Sequence, residues 1–216
     1  MAILIENTEV YGFRAALRAM RNPMDSWNKS DSNYHVQYTG PWGRNIKVPE
    51  LPVLGDADLK LAHKLIRGGT PHRKFLRQII VWVDFTLPRY IWQELDTYKV
   101  ATVRNSCSTM HKLGHRDLIQ EDFAAPIPLS LLNELNQLGE DYRIIKDYNY
   151  VRDMKNILPE GFLQKSTWTG SYETLLSIYH WRHTHRMKEW SGEEGICAWI
   201  KSLPYMEQFI EAATKK

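Results

Sequence analysis

The chain has 216 residues, of which 43% are hydrophobic and 25% charged, and a formal net charge of +3. A chain of that length buries a substantial core within one large domain, and its balance excludes a disordered or fibrous protein. The small net charge excludes a broad nucleic-acid-binding surface, and no apolar run approaches the roughly 20 residues of a membrane span.

The first residues, Met1 to Val10, are too short and acidic for a signal peptide and read as a first strand, so a cytoplasmic location is expected. Helical spacing of Phe13, Ala16, Leu17 and Met20 predicts a helix that ends near Arg21-Asn22-Pro23. Residues 23–55 are rich in Gly, Pro, Asn, Asp and Ser, with Trp27, Tyr34, Tyr38 and Trp42 spaced through them. They read as a long ordered loop or insertion within a single domain spanning 1–216, the kind of segment that carries binding surfaces. Asp56 is placed to cap a helix with Leu59, Ala62, Leu65 and Ile66 on its apolar stripe, closed by Gly68-Gly69.

The alternation around Ile79, Val81, Val83 and Phe85 predicts a strand over 77–86, and Pro88 opens a helix running to about Tyr98. A polar segment from Lys99 to Lys112 follows, dense in hydroxyls and cations that suit a phosphate or a nucleobase. After a connection from Asp117 to Pro128, Ser130 is placed to cap a helix with Leu131, Leu132, Leu135 and Leu138 on one face. Its periodicity continues less cleanly to Leu158. Leu163 to Thr169 is a further strand, and Ser171 caps the last long helix with Glu173 in its first turn. A short helix carrying Ile196, Trp199, Ile200 and Leu203 and a final helix through Met206, Phe209 and Ile210 complete a mixed α and β class in which helices dominate.

Three clusters bear on chemistry. Cys107 and Cys197 are the only cysteines, and without C-x-x-C or metal-ligand spacing they predict reduced thiols. Cys107 sits beside Arg104, with His111 as the local base a nucleophile would need; the other reading is a small packed residue. His180, Arg182, His183, His185 and Arg186 form a basic run on a helix C-terminal half. It reads as a phosphate- or carbonyl-binding set, as a solvated face, or through His180 and His183 as half of a metal site. Arg73, Lys74 and Arg77 either meet phosphates or form a solvated face. Tyr98 and Lys99 pair a ring with a cation at a helix end, which suits a stacked nucleotide.

The strand, helix and polar segment resemble the flavin-dependent thymidylate synthases. That family's signature, Arg-His-Arg-x-x-Ser-x-Asn-Glu-x-Ser-x-Arg, falls without gaps on Thr97, Tyr98, Lys99, Thr102, Arg104, Asn105, Cys107 and Thr109. His72-Arg-Lys-Phe75 resembles the family's His-x-x-Phe element. Leu158-Pro159, Trp168-Thr169, Leu175 and Arg182 match its C-terminal half in register. Ser171-Tyr-Glu173-Thr174 stands where the family reads Asn-Ala-Arg-Ser, so the asparagine and arginine that hold cofactor and nucleotide there are replaced.

The resemblance implies an α+β fold, a helix-rich mixed domain with a central, mostly antiparallel sheet. It implies FAD as cofactor, methylenetetrahydrofolate and NADPH as co-substrates, and a one-carbon transfer to a pyrimidine deoxynucleotide by a methyl- or hydroxymethyltransferase. The alternative is a catalytically silent nucleotide-binding or sequestering protein on the same scaffold. Lys99, Thr102, Arg104, Ser106, Ser108 and Arg182 or Arg186 would hold the nucleotide, and His72, Tyr98, Lys99 and Asn105 the cofactor. A homo-oligomer is expected, as a tetramer with shared sites, and no metal, DNA, RNA or membrane.

Overall fold

The computed structural model describes residues 3–38 and 48–215; residues 39–47, Trp42 among them, lie outside the described residues. In chain order the elements begin with β1 (Leu4–Tyr11), α1 (Phe13–Arg21), β2 (Asn33–Tyr38), β3 (Val48–Val53), α2 (Asp56–Arg67), β4 (Ile80–Pro88) and α3 (Arg89–Leu95). There follow β5 (Val103–Ser106), α4 (Thr109–Lys112), α5 (Leu129–Ile145), α6 (Tyr148–Ile157) and β6 (Leu163–Ser171). The chain closes with α7 (Tyr172–Arg182), α8 (Lys188–Ser191), α9 (Ile196–Ser202) and α10 (Met206–Thr214). The sheet has the order β1-β4-β6-β5, and the class is the expected one, rich in helix around an antiparallel sheet.

Several elements differ from the sequence reading for local reasons. Residues 23–55 hold two short 3-10 turns and a hairpin in which Asn33 pairs with Val53 and Tyr38 with Val48. The prolines at 49 and 52 conceal β3 in the sequence, yet a two-stranded hairpin has open edges where a missing N–H is tolerated. β4 starts at Ile80 because Lys74–Gln78 wind into a 3-10 turn that buries Phe75 and Leu76. The segment 99–112 is not all loop, since β5 and α4 lie within it. The long pattern after Ser130 breaks at Lys146, whose φ is 62°. Asp147 then caps α6 by accepting from the Asn149 N–H at 2.9 Å, whereas α5 begins just after Pro128 without a side-chain cap, so that Ser130, expected to cap it, lies inside its first turn. Ser171 caps α7 as expected, its hydroxyl accepting from the Thr174 N–H at 3.3 Å.

The chain divides into two compact units. The first comprises Met1–Leu4, Phe85–Thr97 and Arg104–Thr167. Its core is built by α5 and α6, with Leu135, Tyr142, Val151 and Met154 closing on Leu113, Leu118 and Phe123. The second comprises Ile5–Asp84, Tyr98–Val103 and Trp168–Lys216, and its core is aromatic. Phe13 meets Tyr172 edge-on at 5.5 Å, and Phe75 meets Phe209 at 6.2 Å. The polar handles of this core are satisfied: Trp199 Nε1 donates to the Thr8 hydroxyl at 3.0 Å and the Tyr172 hydroxyl to the Pro204 carbonyl at 2.9 Å. Gly12 has a φ of +96°, and a Cβ there would stand 2.1 Å from the Gln78 carbonyl oxygen, so only glycine admits this start to α1.

A buried polar centre holds the Ser26–Ser32 stretch to α2. Asp58, fully buried, accepts from Arg21 Nε at 2.6 Å, from the Ser30 hydroxyl at 2.7 Å and from the Ser32 hydroxyl at 2.6 Å. Asp31 does for α2 what Asp56 was expected to do, accepting from the N–H groups of Ala57 at 2.8 Å and Asp58 at 3.0 Å. Those bonds, the Ala57 one foremost, hold its carboxyl below the usual range. Removing the Asp58 carboxylate strands a guanidinium whose side chain is 5% exposed. Urea unfolding of Asp58→Ala should therefore show a loss of about 3–5 kcal/mol, and a loss below about 1 kcal/mol would contradict this role.

Candidate functional site

The first unit builds a hollow on a network centred on Trp92. This indole is 1% exposed and donates Nε1–H to the Gln164 carbonyl at 2.8 Å. Arg104 lies over its ring, Cζ 3.9 Å from the centroid. The guanidinium donates to the Ser166 hydroxyl at 3.1 Å, to Asp96 at 2.7 Å and to the Gln164 side chain at 2.9 Å. Burial pulls the Arg104 pKa down and Asp96 opposes that pull. Gln164 in turn donates its amide to the Cys107 carbonyl at 2.7 Å, and the Cys107 N–H donates to the Lys165 carbonyl at 2.9 Å. Arg104, expected to meet a ligand, spends two nitrogens on fixing β5 to β6 and a third on Asp96 at the end of α3.

Beyond that network lies a cavity of about 420 Å³. Cys107, Ser108, Thr109, Lys112, Gln164 and Lys165 line its polar side together with the carboxylates of Glu121 and Asp122, and Leu4, Leu113, Phe162 and Leu163 its apolar side. Arg116 also lines it but is engaged by Asp122, which accepts from Nη1 at 2.7 Å. Two ammonium groups, two hydroxyls and apolar walls are what a phosphorylated ring compound needs. Of the residues expected to hold a nucleotide, Ser108 lines the cavity; Arg104 reaches it through Gln164. Ser106 and Asn105 are exposed on β5. Sequence reasoning missed Gln164, Lys165 and Arg116, because the residues that complete the 107–112 segment come from other parts of the chain.

The second unit positions the other expected residues. Arg182 Nε donates to the Tyr98 hydroxyl at 3.1 Å, and its Cζ lies 5.8 Å from the Tyr98 ring and 5.2 Å from the Trp190 ring. The turn beside it is tied by the Thr102 hydroxyl donating to the Tyr98 carbonyl at 2.8 Å and by Thr174 donating to the Val100 carbonyl at 3.3 Å. These ties hold Ala101 at a φ of 56°, a left-handed conformation that costs a non-glycine residue about 1 kcal/mol or more. Lys99 is exposed on this turn, and Arg186 is exposed after α7. His72 lines a separate cavity of about 450 Å³ together with Met20, Leu65, Phe75, Asn22 and Lys74. Among the described residues no group of three or more His, Cys, Asp or Glu could hold a metal ion, so His180 and His183 gain no third ligand.

Two measurements follow from these environments. Cys107 is exposed and Cys197 buried, and burial pushes the Cys197 thiol up to about 12. Iodoacetamide on the folded protein near neutral pH should alkylate Cys107 and spare Cys197; modification of both at similar rates would contradict the arrangement. Burial alone would raise the Asp122 carboxyl, but the Arg116 bond and the Ile119 N–H outweigh it and hold the group below the usual range. A depressed folded pKa means stability that is present above the unfolded value of about 3.9 and lost as pH falls through the folded value. The urea midpoint of wild type should exceed that of Asp122→Asn at pH 6, with the gap closing towards pH 3; an unchanged gap would remove the charge from this role.

No protein-family model matches the sequence, and no curated protein matches it. Solved structures do match in fold. The flavin-dependent thymidylate synthase ThyX from Helicobacter pylori, complexed with FAD and dUMP, aligns with a TM-score of 0.68 at 15% identity over 97% of each chain. A second structure of that enzyme with FAD and dUMP aligns with a TM-score of 0.68 at 15% identity over 98% of each chain. The UMP/dUMP methylase PolB from Streptomyces cacaoi, bound with 5-Br dUMP, aligns with a TM-score of 0.59 at 15% identity over 97% of this chain and 95% of its own. The fold of this chain is accordingly that of the flavin-dependent thymidylate synthases.

Proposed function

We propose that the chain is a thymidylate synthase-like nucleotide-binding protein whose ligand is a pyrimidine deoxynucleotide, held by its phosphate at Ser108, Thr109, Lys112 and Lys165. One observation carries this reading. Cys107 and Thr109, which align with the last serine and arginine of the family signature, line the 420 Å³ cavity of the first unit. Lys112, on the same short helical turn as Thr109, supplies a cation near the position of the arginine that Thr109 replaces. The likeness in fold to proteins solved with dUMP and 5-Br dUMP supports the choice of base.

FAD is proposed as the cofactor, with methylenetetrahydrofolate and NADPH as co-substrates of a one-carbon transfer. The 450 Å³ cavity of the second unit fits part of such a group, since Met20, Leu65 and Phe75 offer apolar walls to a flat ring and Lys74 a cation to a phosphate. His72 would contact the cofactor there, with Tyr98, Lys99 and Asn105 as further proposed contacts, and bound flavin would supply hydride transfer. Lys99, Thr102, Arg182 and Arg186 remain proposed nucleotide donors. A homotetramer in the cytoplasm is part of the same reading; among the described residues no helix is long and apolar enough to cross a membrane.

One observation favours a second reading, nucleotide binding without turnover. Thr97-Tyr98-Lys99 stands for the family's Arg-His-Arg, and the helix-opening arginine is replaced by Glu173, which is ion-paired with Arg73 at 2.9 Å. Calorimetric titration with dUMP tests what the two readings share. Wild type should bind, and Lys112→Ala and Lys165→Ala should each lose about 1.5–3 kcal/mol. Absence of binding by wild type, or unchanged affinity in both variants, would overturn the proposal. Bleaching of the flavin band by NADPH after reconstitution with FAD would select the enzyme, and dUMP binding without flavin uptake the silent protein.

A further inference from the structure

We propose that His63 makes the seam between α2 and α10 a pH-sensitive latch, closed while its imidazole is neutral and loosened at the C-terminal end of α10 when the ring takes a proton. Neither the nucleotide nor the flavin reading uses these residues.

The seam follows from helical spacing. α2 buries Ala62 and Ile66, and α10 packs along it with Met206, Phe209 and Ile210 buried. His63 stands at the border of that apolar face. The residue is half-buried, and its Nε2 is buried without a hydrogen-bond partner among the described residues. A neutral imidazole has one N–H donor, whereas an imidazolium has two. Protonation therefore puts a charged donor where the fold supplies no acceptor, which is costly.

The charges around the ring act in the same direction. Arg67 lies one turn further along α2, and Lys215 faces the ring from the end of α10; each disfavours a further cation beside it. Glu211 on α10 favours the charged ring, but its carboxylate is already shared with Lys215 Nζ at 3.5 Å. Burial first, then Arg67 and Lys215, hold the His63 pKa below the usual histidine value against the pull of Glu211. A histidine depressed in the folded state contributes stability that is present above the unfolded value of about 6.5 and lost as pH falls through the folded value.

The loosening is local because the two ends of α10 are held differently. At its start the Tyr205 hydroxyl accepts from the Leu54 N–H at 3.1 Å and donates to the Pro52 carbonyl at 2.7 Å, and the Tyr205 ring stacks on Phe209. Past Ile210, Ala212 is buried, while Glu211, Ala213, Thr214 and Lys215 are exposed. The Thr214 hydroxyl turns back to the Ile210 and Glu211 carbonyls of its own helix, at 3.2 and 3.0 Å. A helix end with so little buried apolar surface opens at small cost, and opening is what relieves a charge on His63. A solvated surface histidine, the plain reading of this position, would gain nothing from it.

Backbone amide exchange followed by NMR at pH 7.5 and pH 5 tests the latch, each rate being compared with that of an unstructured chain at the same pH. In wild type the protection of Ala212 to Lys215 should fall at least threefold between the two, while Phe209 in the same helix and Val151 and Met154 in the first unit keep theirs. His63→Gln, which takes no proton, should show equal protection at both pH values. Arg67→Gln and Lys215→Gln each remove a cation from the ring and should reduce the fall. The carbon-bound ring protons of His63 in wild type should titrate below about 6.5, the unperturbed value, a readout that stands even where His63→Gln does not fold. The proposal is overturned if wild type keeps its protection at pH 5, if His63→Gln loses it as wild type does, if Phe209 and Val151 lose as much, or if the His63 ring titrates at or above the unperturbed value.

Discussion

The placement of one guanidinium over one indole carries the candidate site of the first unit. Arg104 on Trp92 joins β5, α3 and β6 through a stacked ring, an ion pair to Asp96 and hydrogen bonds to Gln164 and Ser166. The stack is worth about 0.5–2 kcal/mol by itself. Its larger effect is positional. Gln164, held by Arg104, grips the Cys107 carbonyl, and Lys165 accepts the Cys107 N–H. The segment that bears Ser108, Thr109 and Lys112 is thus hung from the strand that bears Lys165. A polar network of this kind is satisfied as a whole, and loss of one member leaves the others desolvated and unpaired.

This explains why a residue expected to touch ligand stands in the framework instead. In the sequence Arg104 is one cation among many hydroxyls and reads as a phosphate donor. In the fold it has a tryptophan beneath it and oxygens on three sides, and a half-buried arginine is most economically held that way. The donors that line the cavity come later in the 107–112 segment and from β6, more than fifty residues on in the chain. Lys165 is solvent-facing, like Thr167, on a strand that buries Ser166 and Trp168, where alternation marks it only as an outward residue.

Elements whose apolar pattern is strong and local were legible: the face of α1 with Phe13, Ala16, Leu17 and Met20, the buried alternation of β4 and the Ser171 cap of α7. Those that depend on partners distant in sequence were not. Asp31 caps α2 from 26 residues away, and β3 exists because a neighbouring strand accepts a chain with two prolines. The break at Lys146 is a single left-handed residue that no periodicity announces. At α7 the replacement of an arginine by Glu173 was visible, but its pairing with Arg73, a hundred residues earlier, was not. The lesson is physical: patterns report which face is buried, whereas ion pairs and cavities are set by what folds against that face.

The central claim is that the hollow behind the Trp92–Arg104 network receives a nucleotide phosphate. Backbone amide NMR during titration with dUMP tests it most directly, because it locates the ligand without altering a residue. The account requires the largest shift changes at Cys107–Lys112 and at Gln164–Lys165, saturating together with one affinity. Shift changes that centre elsewhere in the chain, or their absence at millimolar dUMP, would contradict it.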